Sequence, residues 1–280
     1  MKIVCSCSPN QPQFAVLPPA GAKIPSIFRN VRVNNWRHDE LLAQMQRLRG
    51  KSYLEDGAIR PDDLTGDGRH TMSVDQESWH VLSLDSCGRV VGCLRYLEER
   101  SARNFEDLWV RHSALARCPV SGRRFRRAVE TTMRAASQMR IGFGEVGGWA
   151  VEKDRRLTLE PLRILLATYG LLQLLGSATG VATATARHGS SAILRKIGLT
   201  SLQAEGEELG PYYDPQYGCQ MEVLQFDSRF PNPKYRERVM ELSAFLSGAP
   251  LVCRATLAQK SRGIFHSFEA SVLAPSLASV

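Results

Sequence analysis

From Trp79 to Gly198 the chain repeatedly switches its apolar rhythm between a period of two and a period of 3.6, and few folds accommodate that alternation. WHVLSL at 79–84 and RVVGCLRYLE at 89–98, joined by Asp85-Ser86-Cys87-Gly88, predict a hairpin of two antiparallel strands. Phe125, Ala128, Val129, Thr132, Ala136 and Met139 then recur at helical spacing behind Ser121, a residue suited to an N-cap. GFGEVGGWAV at 142–151 reads as a glycine-punctuated strand, 158–175 as a buried helix stopped by Gly176, and VATATA at 181–186 as another strand. SSAILRKIG is a short helix with Gly198 at its C-terminal cap. A further helical stripe starts at Trp36, strands are expected near 200–205 and 218–226, and a helix over 233–246. The packing that buries all these faces is α/β (α+β): a mixed, mostly antiparallel sheet with helices on both sides.

Composition narrows the function. In 280 residues, 36 Lys+Arg against 28 Asp+Glu leave a net charge of +8 without any single-sign block, which excludes polyacidic tails and histone-like polycations. Seven scattered cysteines exclude a disulfide framework and suit a reducing, cytoplasmic setting. No export signal is read at the N-terminus, where the apolar run is short. The most apolar stretch, 157–175, holds Glu160, Pro161, Arg163 and Gln173, so the roughly 20 apolar residues of a membrane span are missing. The proline-rich residues 1–30 are expected to be an irregular leader, 31–228 one domain, and 229–280 a helix with a flexible tail. His and Cys do not fall at metal-ligand spacings, so no metal is expected, and neither a G-x-S-x-G elbow nor a Walker loop occurs.

Three stretches resemble one family. Helix one ends in L-R-G-K-S-Y-L-E-D-G, similar to an Arg-x-x-x-Phe/Tyr signature with Arg49 and Tyr53 in the two places. V-V-G-C-L-R is similar to V-x-G-x-x-R with Arg95 in the last place. G-E-V-G-G-W-A-V is similar to E-x-x-R-F-x-V, with Glu145 in the Glu place and Gly148-Trp149 where Arg-Phe usually stands. Together they resemble the GCN5-related N-acyltransferase (GNAT-like) fold, in its branch of autoinducer (acyl-homoserine lactone) synthases and N-acyl amino acid synthases. The chain also departs from the fold's patterns. E-K-D-R-R-L-T-L-E-P lacks the glycines that cradle a pyrophosphate, Leu194 stands where a Tyr general acid is common, and Ile59 occupies the place of an autoinducer-synthase Trp. The resemblance, read with these departures, implies a fatty acyl donor on acyl carrier protein phosphopantetheine or long-chain acyl-CoA, used as co-substrate with no permanently bound cofactor. It favours an acylated amino acid over a homoserine lactone product.

Roles follow from the chemistry of moving an acyl group from a thioester to an amine. Glu145 is the candidate base, since a desolvated carboxylate can take an ammonium proton. The N–H of Val151 is the candidate oxyanion donor beside the strand-loosening Gly147 and Gly148. Arg49 and Arg95 would order a loop or grip the acceptor's carboxylate, Tyr53 would contact a lid, and Trp149 would line the acyl tunnel. Arg155 and Arg156 would meet a donor phosphate at a helix N-terminus. The arginine-rich helix 121–140 would dock an acidic carrier protein, and its single aromatic, Phe125, speaks against single-stranded nucleic acid. Ordinary ion pairing and core packing remain open for each of these side chains. So do an acetyl-CoA-dependent acetyltransferase and a non-catalytic module binding through the basic helix.

Overall fold

The computed structural model describes residues 13–99, 102 and 104–255. The order is β1 Gln13–Leu17, β2 Val31–Val33, α1 Asn35–Glu55, β3 Ser78–Leu84, β4 Val90–Glu98, α2 Gly122–Met139, β5 Gly142–Val151, α3 Glu160–Leu174 and β6 Ala178–Thr185. Then follow α4 Ser190–Ile197, the short β7 Thr200–Ser201, β8 Gln203–Ala204, β9 Glu207–Glu208 and β10 Tyr212–Asp214, then β11 Cys219–Asp227, α5 Arg236–Gly248 and β12 Leu251–Cys253.

The main sheet runs β10-β11-β6-β5-β4-β3-β1-β12-β2, with β7 attached to β11. Its pairs are antiparallel except β5 with β6, β1 with β12 and β12 with β2. Every residue of β3 is buried, because helices cover both faces. Leu41, Leu42, Met45 and Leu48 of α1 pack on Ala15, Leu82 and Cys93 on one side, next to α2 on the same face. The apolar α3, with α4 and α5, packs on Phe14, Val81 and Leu94 on the other. At about 25 cal/mol per Å² of apolar surface removed from water, this double cover is the main stabilising term.

Two expectations about the chain's ends need correction. Residues 13–17 are not irregular leader: Phe14 to Leu17 are at most 1% exposed and β1 pairs with β3 over five residues, sending alternate side chains to opposite faces. Two of the prolines that suggested an irregular leader, Pro18 and Pro19, instead end that strand, since proline cannot donate to the ladder. Nor does the folded unit stop at residue 228. α5 lies along α3, where Gly170 lets the Ser243 backbone approach closely, and β12 inserts between β1 and β2. Residues 1–12 and 256–280, including the expected flexible tail, lie outside the described residues.

Candidate active site

The site begins with two glycines that hold strands together. Gly144 and Gly180 face each other across the parallel β5–β6 pair, and a Cβ at Gly180 would stand 1.8 Å from the Gly144 carbonyl oxygen. Pairing runs from Gly142–Ala178 to Val146–Ala182 and then stops. Beyond it β6 keeps to β11 as far as Thr185, while β5 keeps to β4 as far as Val151. The two strands therefore part into a wedge.

A bulge sharpens the divergence. Cys93 faces Ala150 and Arg95 faces Gly147, so β5 carries one extra residue at Gly148-Trp149, and Gly148 adopts φ +63°. That left-handed conformation is cheap only for glycine. Glycine in the family's Arg place is thus a backbone requirement here. A cleft of about 510 Å³ opens at this point, lined from β4, β5, β6, the end of α1 and the β10–β11 turn.

Of the residues singled out from the sequence, Glu145, Arg95, Tyr53 and Trp149 line this cleft together, with Gly147 and Gly148. Glu145 is 6% exposed, and its Oε1 accepts the Val110 N–H at 2.8 Å. Burial raises its carboxyl to about 7, against the pull of the Val110 N–H and with a push from Glu99. At neutral pH the group is thus poised between acid and base.

Arg95 is 4% exposed; its Nη1 donates to the Met72 sulfur at 3.4 Å and its Nε has no partner. Burial, then the neighbouring Arg49 charge, lowers its pKa. Tyr53 packs its ring on His70, with centroids 5.7 Å apart. Trp149 buries an indole N–H without a partner.

Arg49 sits behind the cleft. It is fully buried and grips Asp75 with both terminal nitrogens, at 2.8 and 2.7 Å. Asp75 also accepts from Gln46 at 3.0 Å and from the Met72 N–H at 3.0 Å. Burial raises the Asp75 carboxyl, but the Arg49 fork outweighs it and holds the group at about 2. His80 completes the cluster, donating from Nε2 to the Asp75 carbonyl at 2.7 Å; burial lowers it to about 4, so the ring is neutral.

Val151 does not line the cleft, but its backbone is turned toward the wedge. Glu152 donates to the Val91 carbonyl at 2.9 Å, which makes Gly92–Val151 a non-hydrogen-bonded pair and directs the Val151 N–H away from β4. Arg156 is engaged elsewhere: Nη1 reaches Asp56 at 2.8 Å, Nη2 reaches Ser52 at 2.7 Å, and Nε donates to the Val151 carbonyl at 3.2 Å. It ties the end of α1 to the end of β5. Arg155 approaches Glu152 at 3.8 Å and does not line this cleft.

On α2, Arg124, Arg126 and Arg127 pair with Glu207, Glu106 and Glu205, so half of the expected basic stripe is neutralised within the chain. Sequence reasoning missed Asp75, Met72 and two tyrosines of 211–218, Tyr212 and Tyr217, which line the cleft from β10 and from the β10–β11 turn. The density of tyrosine in 211–218 hinted at the last two. Among the described residues no three His, Cys, Asp or Glu side chains gather as a metal site, and no helix is long and apolar enough to cross a membrane.

No protein-family model matches the sequence, and no curated protein is similar to it in sequence. Solved structures are similar in fold. The CoA-dependent acyl-homoserine lactone synthase BjaI superposes with a TM-score of 0.52 when bound to MTA and 0.51 when bound to SAM and isopentyl-CoA, at 17% identity over 91% of this chain and 100% of that one. MesI, another CoA-dependent acyl-homoserine lactone synthase, reaches 0.50 at 15% identity over 87% of this chain and 100% of its own. With its parted β5 and β6 and its two-sided helical cover, the chain has the GNAT-like acyltransferase fold in the form found in acyl-homoserine lactone synthases.

Proposed function

We propose that the chain is a cytoplasmic N-acyltransferase that moves a fatty acyl group from a thioester, on acyl carrier protein or long-chain CoA, to the amine of an amino acid or related small molecule. The observation that carries this reading is a carboxyl group raised to about 7 and lodged where two strands of an acyltransferase-type sheet part. BjaI, bound to SAM and isopentyl-CoA, supports the pairing of an acyl thioester with an amine-bearing acceptor.

In the reaction, ionised Glu145 takes a proton from the incoming ammonium, directly or through a water, and the freed amine attacks the thioester carbonyl. The negative charge on that oxygen would be met by the Val151 N–H, turned toward the wedge. The attack forms the C–N bond; collapse of the tetrahedral adduct re-forms the carbonyl and breaks the C–S bond. The nitrogen sheds its surplus proton to the departing thiolate, which leaves as a thiol, and Glu145 returns its own proton to solvent. Trp149 would wall the acyl tunnel, and Tyr53 would contact the lid over the acceptor. Arg155 would serve the donor's phosphate; Arg156 could join it only by giving up its bond to Asp56, and Arg49 acts by holding the segment around Asp75 rather than by touching substrate. On α2 and at its C-terminal cap, Arg123, Arg134 and Arg140 would be left to attract an acidic carrier protein.

Purified protein incubated with an acyl thioester and a pool of amino acids should release free thiol and yield an amide detectable by mass spectrometry. No turnover with carrier-bound or CoA-bound acyl chains, from protein that remains folded, sinks the proposal.

A further inference from the structure

Glu145 must lose a proton after each turnover, yet it is 6% exposed and tied through Oε1 to the Val110 N–H. A second carboxyl stands beside it. Glu99 follows β4 directly, and its N–H donates to the Phe143 carbonyl at 2.9 Å, extending the β4–β5 ladder by one residue. Leu97 faces Glu145 in that ladder, so Glu99 is the diagonal neighbour of Glu145 on the same face of the sheet. Diagonal positions are about 7–8 Å apart at the backbone, a span that two long side chains close.

Both side chains are drawn to one short stretch of backbone. The Val110 N–H binds Glu145, the Trp109 N–H binds Glu99, and the Trp109 N–H acts on Glu145 as well. Carboxyls held by successive N–H groups are neighbours. They differ in their access to water. Glu145 lines the cleft, whereas Glu99 is half-buried and outside it, so Glu99 keeps its contact with water when substrate fills the cleft.

The surrounding charges come from several elements. Arg95 acts on both carboxyls from β4. Glu77 and Asp107 face Glu99 from the segments before β3 and before Trp109. Asp75 and Arg49 are locked in their own fork, and His70, His112, Arg187 and Asp214 join the cleft from other elements. Burial raises the Glu99 carboxyl against the pull of the Trp109 N–H, and Glu77 and Asp107 push it further. It is shifted in the same direction as Glu145, as a proton acceptor for Glu145 needs to be.

We propose that Glu99 and Glu145 form a carboxyl pair in which Glu99, the outer member, accepts the proton that Glu145 takes from the acceptor amine and passes it to water. The O–H bond at Glu145 breaks as one forms at Glu99, Glu145 returns to its carboxylate, and water then removes the proton from Glu99. Glu99 touches no substrate; it is a positioning residue that acts through Glu145. The relay rests on the acyl-transfer reading, whereas the pairing of the two carboxyls does not.

Two measurements on the full-length protein test the proposal. The first needs no substrate: the carboxyl carbons of isotope-labelled glutamate are followed by NMR as pH is varied, with Glu145→Gln and Glu99→Gln identifying the two signals. In the unaltered protein each signal should titrate in two steps, because each group senses the other's charge. Glu99→Gln should leave Glu145 a single step, lower by about half a pH unit or more. Single independent steps in the unaltered protein overturn the pair, whether or not the Glu99 variant folds. The second measurement is kinetic. In dilute buffer Glu99→Gln should lower kcat about tenfold with KM unmoved, added formate or imidazole should restore it, and Glu99→Asp should keep most of it. An unchanged kcat, or a loss that small buffers do not rescue, overturns the relay. Coupled titration in a protein without turnover would remove the transferase reading, and the relay with it, and leave the pair standing.

Discussion

Glu145 has two tasks that pull against each other, and the conflict can be measured. Its Oε1 anchors the turn at Val110, a service that a glutamine oxygen performs equally well. Its charge is expensive, because burial raises the carboxyl from 4.5 to about 7. A folded-state pKa above the unfolded one means that the native protein binds more protons across that window. Stability therefore falls as pH rises from 4.5 to 7, by about 3 kcal/mol if the whole shift counts. Glu145→Gln is expected to raise the melting temperature at pH 8 and leave it nearly unchanged at pH 4.5, while lowering turnover about 10²–10⁴-fold. Calorimetric scans at the two pH values, beside a thiol-release assay, check both halves. In the unaltered enzyme kcat/KM should climb tenfold per pH unit below about 7 and level off above it; a flat profile would remove Glu145 as the base.

Some residues of the site were legible in the sequence and others were not, for physical reasons. Glu145, Arg95, Tyr53 and Trp149 belong to regular elements whose period states which way they point, so motif spacing brought them to one cleft. Asp75 was hidden because it lies in a segment, 60–77, whose polar and glycine-rich composition gives no sign of burial; its partner Arg49 is 26 residues away, and nothing local to either announces a buried pair. Asp75→Asn should cost about 3–5 kcal/mol in denaturant unfolding, since it leaves Arg49 buried and uncompensated.

At the scale of elements, the wedge depends on glycines with different jobs. Gly180 permits a backbone contact that any side chain would destroy, because its Cβ would stand 1.8 Å from a carbonyl oxygen. Gly147 has no such restraint: its Cβ would meet only the end of the Arg95 side chain, at an ordinary 3.5 Å. Gly180→Ala is expected to disrupt the β5–β6 pairing and leave the protein insoluble or unfolded, whereas Gly147→Ala should fold with a melting temperature within a few degrees of the parent. Circular dichroism of the two variants separates these outcomes. The strands at the centre of the sheet were readable from their period-two pattern. The shortest, β8 and β9, have two residues each and too few side chains to display any period.

At the scale of the molecule, the unexpected finding is how both ends of the described chain enter the sheet. Prolines concealed β1, and the three-residue β12 offered no periodicity, yet Val16 and Leu251 are neighbours and both wholly buried. A chain ended at Gly248 should lose cooperativity in thermal unfolding, because β1 and β2 would lose the strand between them. One ended at Ala255 keeps β12 and should unfold in a single cooperative step. If the shorter chain is equally stable, β12 is dispensable and its burial contributes little.

The glycine pinch has a geometric corollary. Two ribbons pressed together at Gly144 and Gly180 behave like a clothes-peg: they spread at the free tips and nowhere else. A guest threading between them would enter tip-first and halt short of the clamp, with its bulky end left trailing at the rim.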